Sequence, residues 1–388
     1  MLRPGHALAL LVIALMVYGI VMVNSAGLSV DPAQRITVED VLLSKHTVLA
    51  VLSIAALITG ACLPVDRLFT ARGGRSAIPW LILAIVVTAI AAYVPGIGVT
   101  VNGANRWVGF GPLRFQASEI AKWGVPIILA WWCARHAGSL HRFGRGLIPP
   151  LVLIGLVFLL NFTEDLGTSL LISAVGVAML LAGGCRARHV ALLGGPAAIA
   201  LVTAAIIMSP YRLHRITSVW NPYADATGRS YHVIQSMQSV SGGGLAGRGL
   251  GNSVQKFGYL PEDTTDFLFA IVCEELGLVG AAVLMCLYAG ILFCAMRIIA
   301  ASTTPFRRLL ALGITLTIGL QASINLLVVT GLAPTKGIAL PLLSAGGTGW
   351  VLTAFSVGLL IAMDRANGEA VDDVTEDANL PAATLQGA

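Results

Sequence analysis

Apolar residues in this chain run in long blocks instead of alternating with polar ones, and stretches of about 20 residues with almost no charge recur along nearly its whole length. A hydrocarbon core about 30 Å thick takes roughly 20 helical residues to cross, so each block predicts a membrane-spanning helix. The predicted spans are 7–24, 44–63, 78–98, 117–134, 146–163, 166–184, 188–209, 266–296, 307–330 and 345–363. The expected fold class is an all-α polytopic membrane protein of about ten transmembrane helices, with a large loop, about 209–265, between the seventh and the eighth. Arg3 ahead of the first block resembles the start of a secretory signal, but the block is long and more spans follow, so a retained helix is expected.

Composition agrees with that pattern. Of 388 residues 56% are hydrophobic and 11% charged, against about 25% charged in a soluble globular domain, and the mean hydropathy is +0.84. A water-soluble globule is excluded. The short loops after even-numbered spans carry Arg67, Arg72 and Arg75, then Arg135, Arg142 and Arg145, then Arg186 and Arg188, then Arg297, Arg307 and Arg308. Cationic loops stay in the cytoplasm, which puts both termini inside and the 209–265 loop outside. Residues 1–365 are expected to form the transmembrane domain, and 366–388, rich in Asp and Glu, a disordered acidic cytoplasmic tail. The six cysteines fall in or beside apolar spans and read as small buried hydrophobes.

Candidate chemistry follows from charge in an apolar setting. The eighth span opens with Glu262, Asp263 and Asp266 and carries Glu274 and Glu275. Carboxylates at a hydrocarbon boundary cost several kcal/mol and persist where they pair or react, which makes Asp266 the first candidate, with Glu274 and Glu275 in structural contacts. Polar residues gather in four further outside clusters. Glu119 and Lys122 sit three apart on one helix face, close enough to pair, with Ser118 or a neighbour as the expected cap. Glu164 and Asp165 occupy a very short turn, where Asp165 reads as turn and cap chemistry or as a carboxylate held near the membrane plane. In the long loop a helix from about Ser230 to Ser241 displays Gln235 and Gln238 together. The glycines at 247, 249 and 251 lack the strand that a nucleotide fold requires, which leaves a backbone free to approach an anionic or sugar ligand beside Arg248 and Lys256. The fourth cluster holds Gln321 and Asn325, expected to bond a neighbouring helix, and Lys336 in a proline-flanked apolar loop with a re-entrant or surface-hugging path.

Taken in order, these segments resemble the SEDS family (shape, elongation, division and sporulation), to which RodA and FtsW belong. The most specific stretch is Tyr259-Leu-Pro-Glu262 with Thr265-Asp266-Phe267-Leu-Phe269 and Glu274-Glu275-Leu-Gly277. Pro334-Thr335-Lys336-Gly337 looks more like the FtsW type. Departures are Ser344-Ala-Gly-Gly-Thr-Gly349, where Ser-Tyr-Gly-Gly-Ser-Ser is more usual, and Thr163-Glu164-Asp165, where Gln-Pro-Asp is common. The resemblance implies a peptidoglycan glycosyltransferase that polymerises lipid II at the outer face of the bacterial cytoplasmic membrane during division or elongation, and releases undecaprenyl diphosphate. It implies Asp266 as the important carboxylate, with Arg106, Trp107, Glu119, Lys122, Asp165, Glu262 and Lys336 around the substrate cavity. Gln235, Ser241 and Lys256 join them as binding candidates from the loop itself. The implied partner is a class B penicillin-binding protein, a transpeptidase, along with other divisome or elongasome proteins; no nucleic acid is expected.

The chemistry of that reaction needs one base for a sugar hydroxyl and cations for a departing diphosphate. Arg106, Lys122, Lys336, Arg215 and Arg248 are the available cations, with a divalent cation (Mg or Mn) on Asp266, Glu262 or Asp165 as a further candidate and no organic cofactor. A lipid-linked precursor flippase would also need about ten spans and buried charges, yet the polar clusters fall on one side. A scaffold that only recruits partners would not require Asp266 among basic residues.

Overall fold

The computed structural model describes residues 3–27, 39, 44–71, 76–101, 103–110, 113–207, 215, 217–225, 228, 230–345 and 347–379. Arg72 and Arg75 lie outside the described residues. A helix lies on each predicted span: α1 Pro4–Ala26, α2 Lys45–Cys62, α4 Ile78–Ala91, α5 Ala117–Arg135, α6 Ile148–Asn161, α7 Leu166–Ala182, α8 Ala187–Ile207, α10 Leu268–Ala301, α11 Pro305–Val329 and α12 Thr348–Asn379. Two shorter helices, α3 Val65–Thr70 and α9 Tyr231–Gly242, lie between them. Among the described residues seven helical segments are long and apolar enough to cross a membrane, and α4 and α7 are shorter apolar helices. The chain is a multi-pass, mainly helical membrane protein.

Bilayer lipid is as apolar as leucine, so these helices associate through close packing and interhelical hydrogen bonds. Helices α2 and α12 show the first. A Cβ placed on Gly60 would lie 2.4 Å from the Phe355 carbonyl oxygen, and one on Gly358 would lie 2.3 Å from that of Leu57, so only glycine lets the two backbones touch. Helices α5 and α11 form the middle of the bundle, with Leu129, Ala130, Leu310 and Ala311 fully buried.

Three features depart from the sequence expectation. Residues 98–116, expected as loop, form an antiparallel sheet of β1 Gly98–Val101, β2 Ala104–Phe110 and β3 Leu113–Gln116, in that order, with Trp107 opposite Val99 and Gln116. The boundary expected at 365 falls inside α12, which runs to Asn379, and Asn367 there is buried and accepts from Arg307 Nη1 at 3.1 Å. Cys133, Cys185, Cys273 and Cys294 are buried as expected, whereas Cys62 and Cys286 are exposed.

The third departure is α10, which is broken. Gly277 takes φ 63°, ψ −159°, and the glycine-rich segment after α9 fills the gap. Arg248 N–H and Gly249 N–H donate to the Glu274 and Glu275 carbonyls at 2.9 Å each, while Leu278 N–H donates to the Gly244 carbonyl at 3.0 Å. A helix interrupted at membrane depth exposes main-chain groups that must be satisfied by protein, and this segment supplies them. Cβ atoms on Gly247 and Gly277 would lie 2.1 and 2.4 Å from backbone atoms across the joint.

Candidate functional site

Three chain segments meet at one end of the bundle: the turn before α10, the loop 330–347, and the sheet that leads into α5. Asp266 sits in the turn, two residues before α10 begins. Glu262 heads the turn in the left-handed region, φ 58°, and its carbonyl accepts from Thr265 and Phe267 N–H; Thr265 Oγ1 donates to Glu262 Oε2 at 2.7 Å. The loop passes directly over Asp266. A Cβ on Gly337 would stand 3.2 Å from Asp266 Oδ2 and 3.9 Å from Arg106 Nη1, so carboxylate and guanidinium flank the same glycine, one residue beyond Lys336.

The loop is tied on several sides. Ile338, Leu340, Leu342 and Leu343 are buried, Tyr288 donates to the Pro341 carbonyl at 2.6 Å, and Ala345 N–H donates to the Thr264 carbonyl at 2.9 Å. Arg215 Nη1 donates to the Thr335 carbonyl at 3.1 Å. From α11, Asn325 Nδ2 donates to the Asp266 carbonyl at 2.7 Å and the Ile338 carbonyl at 2.8 Å. One turn earlier, Gln321 Nε2 donates to the Ala339 carbonyl at 2.8 Å, and its Oε1 accepts from Lys122 Nζ at 2.9 Å. Lys122 also pairs with Glu119 at 2.6 Å, which is the i, i+3 contact expected from spacing. Both Arg106 Nε and Glu119 Oε2 are buried without a hydrogen-bond partner among the described residues.

Asp165 caps α7, accepting from Thr168 N–H at 3.1 Å on Oδ1, and binds the start of α5 through Gln116 Nε2 and Ser118 Oγ, each at 2.9 Å on Oδ2. Ser118 therefore ties two helices together, and the α5 cap it was expected to provide is absent: Gln116 holds the cap position and makes no side-chain capping bond. Glu164 Oε2 accepts from Asn105 N–H at 2.7 Å and fastens the sheet to the same corner. A small crevice between Arg106, Asn105, Glu164 and Asp165 lies beside that corner.

Charge shapes the site. Loss of water around the Asp266 carboxyl, together with Glu262 and Asp165, pushes its pKa to about 7 against the pull of Arg106 and Arg215. Asp263 is half-buried, and that burial raises its carboxyl to about 6. Burial also lowers Lys336 below the ordinary lysine value. His232 stacks on Phe267, ring centroids 6.3 Å apart, and is lowered by burial and by Arg215.

The structure thus brings Asp266, Arg106, Lys336, Glu262, Asp165 and Arg215 together, with Glu119 and Lys122 behind them and Trp107 on the central strand. It removes Lys256. That ammonium is completely buried and donates to the Ser25 carbonyl at 3.0 Å, the Gly251 carbonyl at 2.8 Å and Glu275 Oε1 at 2.9 Å. Arg248 is likewise engaged, 3.0 Å from Glu274 Oε1, and the glycines beside it approach α10 where a ligand was expected. Glu274 and Glu275 hold this joint, the structural duty expected of them. Ser241 is exposed and donates to the Gln238 carbonyl at 3.1 Å, Gln235 is half-buried, and no described bond links either to Asp266.

Among the described residues no three His, Cys, Asp or Glu side chains converge as a metal site, and Asp165 already accepts three hydrogen bonds. The residues that sequence reasoning passed over are Gly337 and His232; the two amides of α11 were expected to bond a neighbouring helix, as Gln321 does through Lys122, while the contact of Asn325 with the Asp266 carbonyl was not foreseen. Only the i, i+4 spacing of Gln321 and Asn325 signalled a shared face.

The chain is similar to known proteins over most of its length. A "Probable peptidoglycan glycosyltransferase FtsW" of Alkalilimnicola ehrlichii is 37% identical over 369 residues, 93% of this chain and 89% of its own; another from Geobacter sulfurreducens is 33% identical over 92% of this chain and 94% of its own. Among solved structures, one described as "Structural coordination of polymerization and crosslinking by a peptidoglycan synthase complex" matches with TM-score 0.69 and 27% identity, covering 93% of this chain and 97% of that one. Thermus thermophilus rod shape determining protein RodA matches with TM-score 0.62 and 25% identity, covering 93% of this chain and 96% of its own. The family described as "Cell cycle protein", which takes in FtsW, RodA and SpoVE, matches residues 6–369, and this chain belongs to it.

Proposed function

We propose that this protein is a peptidoglycan glycosyltransferase that polymerises lipid II at the outer face of the cytoplasmic membrane, with Asp266 as general base. The observation that carries the proposal is the convergence at Gly337, where a carboxylate with a pKa of about 7 and the Arg106 guanidinium flank one glycine next to Lys336. A base works best when its pKa lies near the ambient pH. In the transfer step the acceptor sugar hydroxyl loses its proton to the Asp266 carboxylate as its oxygen bonds to the anomeric carbon of the donor. The bond from that carbon to phosphate breaks, and its electron pair leaves on undecaprenyl diphosphate.

The negative charge that builds on the diphosphate needs cations already in place. Arg106 and Lys336 supply them, Arg106 with its planar fork and Lys336 with a point charge. Glu119 and Lys122 stand behind as a buried pair that orients Gln321. The similarity to a complex that coordinates polymerization with crosslinking supports a class B penicillin-binding protein as partner, and the arginine pattern of the short loops supports cytoplasmic termini with Asp266 outside.

The test is purified protein in liposomes, with and without its transpeptidase partner, given fluorescent lipid II. Glycan polymer on gels supports the proposal. Movement of labelled lipid II across the bilayer with no polymer under any partner condition would establish a flippase instead.

A further inference from the structure

We propose that Asn325 is a positioning residue for the transfer reaction, and that through the two hydrogens of one buried amide nitrogen it holds the main chain of Asp266 in register with the Lys336 segment. The inference rests on the glycosyltransferase reading. Asn325 lies near the end of α11 and is 2% exposed. Its Nδ2 spends one hydrogen on the Asp266 carbonyl at 2.7 Å and the other on the Ile338 carbonyl at 2.8 Å. Those carbonyls belong to segments separated along the chain by the whole of α10 and α11. Ile338 N–H in turn donates to the Lys336 carbonyl at 2.8 Å, closing a tight turn around Gly337, so fixing Ile338 fixes Lys336.

Gln321 repeats the device one turn away on Ala339 and Lys122. Two amides on one helix face thereby hold two successive carbonyls of the loop, with the base behind one and the Glu119–Lys122 pair behind the other. Asn325 Oδ1, by contrast, is buried with no partner among the described residues. A buried amide oxygen without a protein partner is costly, and the residue that bears that cost here is the one whose nitrogen joins the Asp266 main chain to the Lys336 segment. Displacements of about 1 Å in a reacting group cost orders of magnitude in rate.

The charged groups facing the Asp266 carboxyl are Arg106 from β2, Asp165 ahead of α7, and Arg215 and Glu262 from the long loop, with Lys336 next to Gly337 in the chain. Loosening the turn admits water among them and returns the carboxyl toward its ordinary range.

The experiment compares wild type with Asn325→Ala, the volume-filling Asn325→Leu, which guards against collapse of a cavity, and the conservative Asn325→Gln. Two readouts are taken: lipid II polymerisation with the transpeptidase partner against pH and substrate concentration, and infrared titration of the Asp266 carboxyl, isolated by subtracting Asp266→Asn. Expected for Ala and Leu are kcat at least about tenfold lower, KM within about threefold, and a carboxyl titrating below its wild-type value, with partial rescue by Gln. A purely structural role would lower folded yield and leave all three unchanged per folded molecule; that result overturns the proposal. If wild type makes no polymer, the glycosyltransferase reading fails, while the infrared titration still decides whether Asn325 sets the Asp266 carboxyl.

Discussion

Lys256 Nζ lies 2.9 Å from Glu275 Oε1 with both side chains at zero exposure, and this buried pair fastens the glycine-rich segment into the break of α10. Ser25 at the end of α1 joins it from both sides, its carbonyl accepting from Lys256 at 3.0 Å and its hydroxyl donating to Glu275 Oε2 at 2.5 Å. Removing one partner of such a pair strands a buried charge at a cost of about 3–5 kcal/mol. Lys256→Met is therefore expected to lower the thermal midpoint in detergent sharply, and the double variant Lys256→Met with Glu275→Leu to recover most of the loss. Equal destabilisation by the single and double variants would contradict the assignment.

This joint also shows what a sequence can and cannot disclose. The helices were legible because a bilayer imposes one length and one composition on every crossing, and Glu119 with Lys122 because a helix makes spacing into geometry. The partners of Lys256 were not, since Ser25 stands 231 residues away in sequence and no local pattern marks it. Gly247, Gly249 and Gly251 announced a close approach of backbone but not its object, which proved to be α10. The sheet was legible and passed over: Asn102-Gly103 is a hairpin signal between two runs of strand-forming residues, and the register of Val101 with Ala104 and Gly103 at φ 76° agree with it. Asp266 stood out by the cost of its charge, while Gly337, with no side chain, gave no sign that it lies against it.

Gly349 stands where the family more often has serine, and a Cβ there would lie 3.4 Å from Glu119 Oε2, an oxygen that has no partner among the described residues. Gly349→Ser is expected to place a hydroxyl within reach of that oxygen and to raise stability by about 1 kcal/mol, the usual net worth of one hydrogen bond. Thermal unfolding in detergent measures it; a fall in the midpoint would show that the space is needed empty.

Gly337→Ala pushes a methyl group to 3.2 Å from Asp266 Oδ2 and 3.9 Å from Arg106 Nη1. Polymerisation is expected to fall at least about tenfold, or ~1.4 kcal/mol in barrier, with little change in thermal midpoint because Gly337 itself is exposed. Activity close to wild type would place the reacting sugars elsewhere.

With Asp266 raised to about 7, its proton must leave before it can act as base, so polymerisation should climb as pH rises through about 7 and level off above. Stability runs the other way. A carboxyl whose folded pKa exceeds its unfolded value favours the fold at low pH and turns against it as pH rises from about 4 through 7. Asp266→Asn is thus expected to be more heat-stable than wild type at pH 8, and similar to it at pH 4. A wild-type rate independent of pH between 5.5 and 8 would contradict the assignment of the base.

The most direct measurement is glycan synthesis from lipid II by purified wild type and Asp266→Asn, each with the same transpeptidase partner, in liposomes at pH 8. General-base catalysis contributes about 10²–10⁴-fold, and the amide keeps the shape of the carboxyl without its basicity. Wild type should yield long glycan strands and Asp266→Asn a rate at least about a hundredfold lower; equal polymer from both would contradict Asp266 as the base.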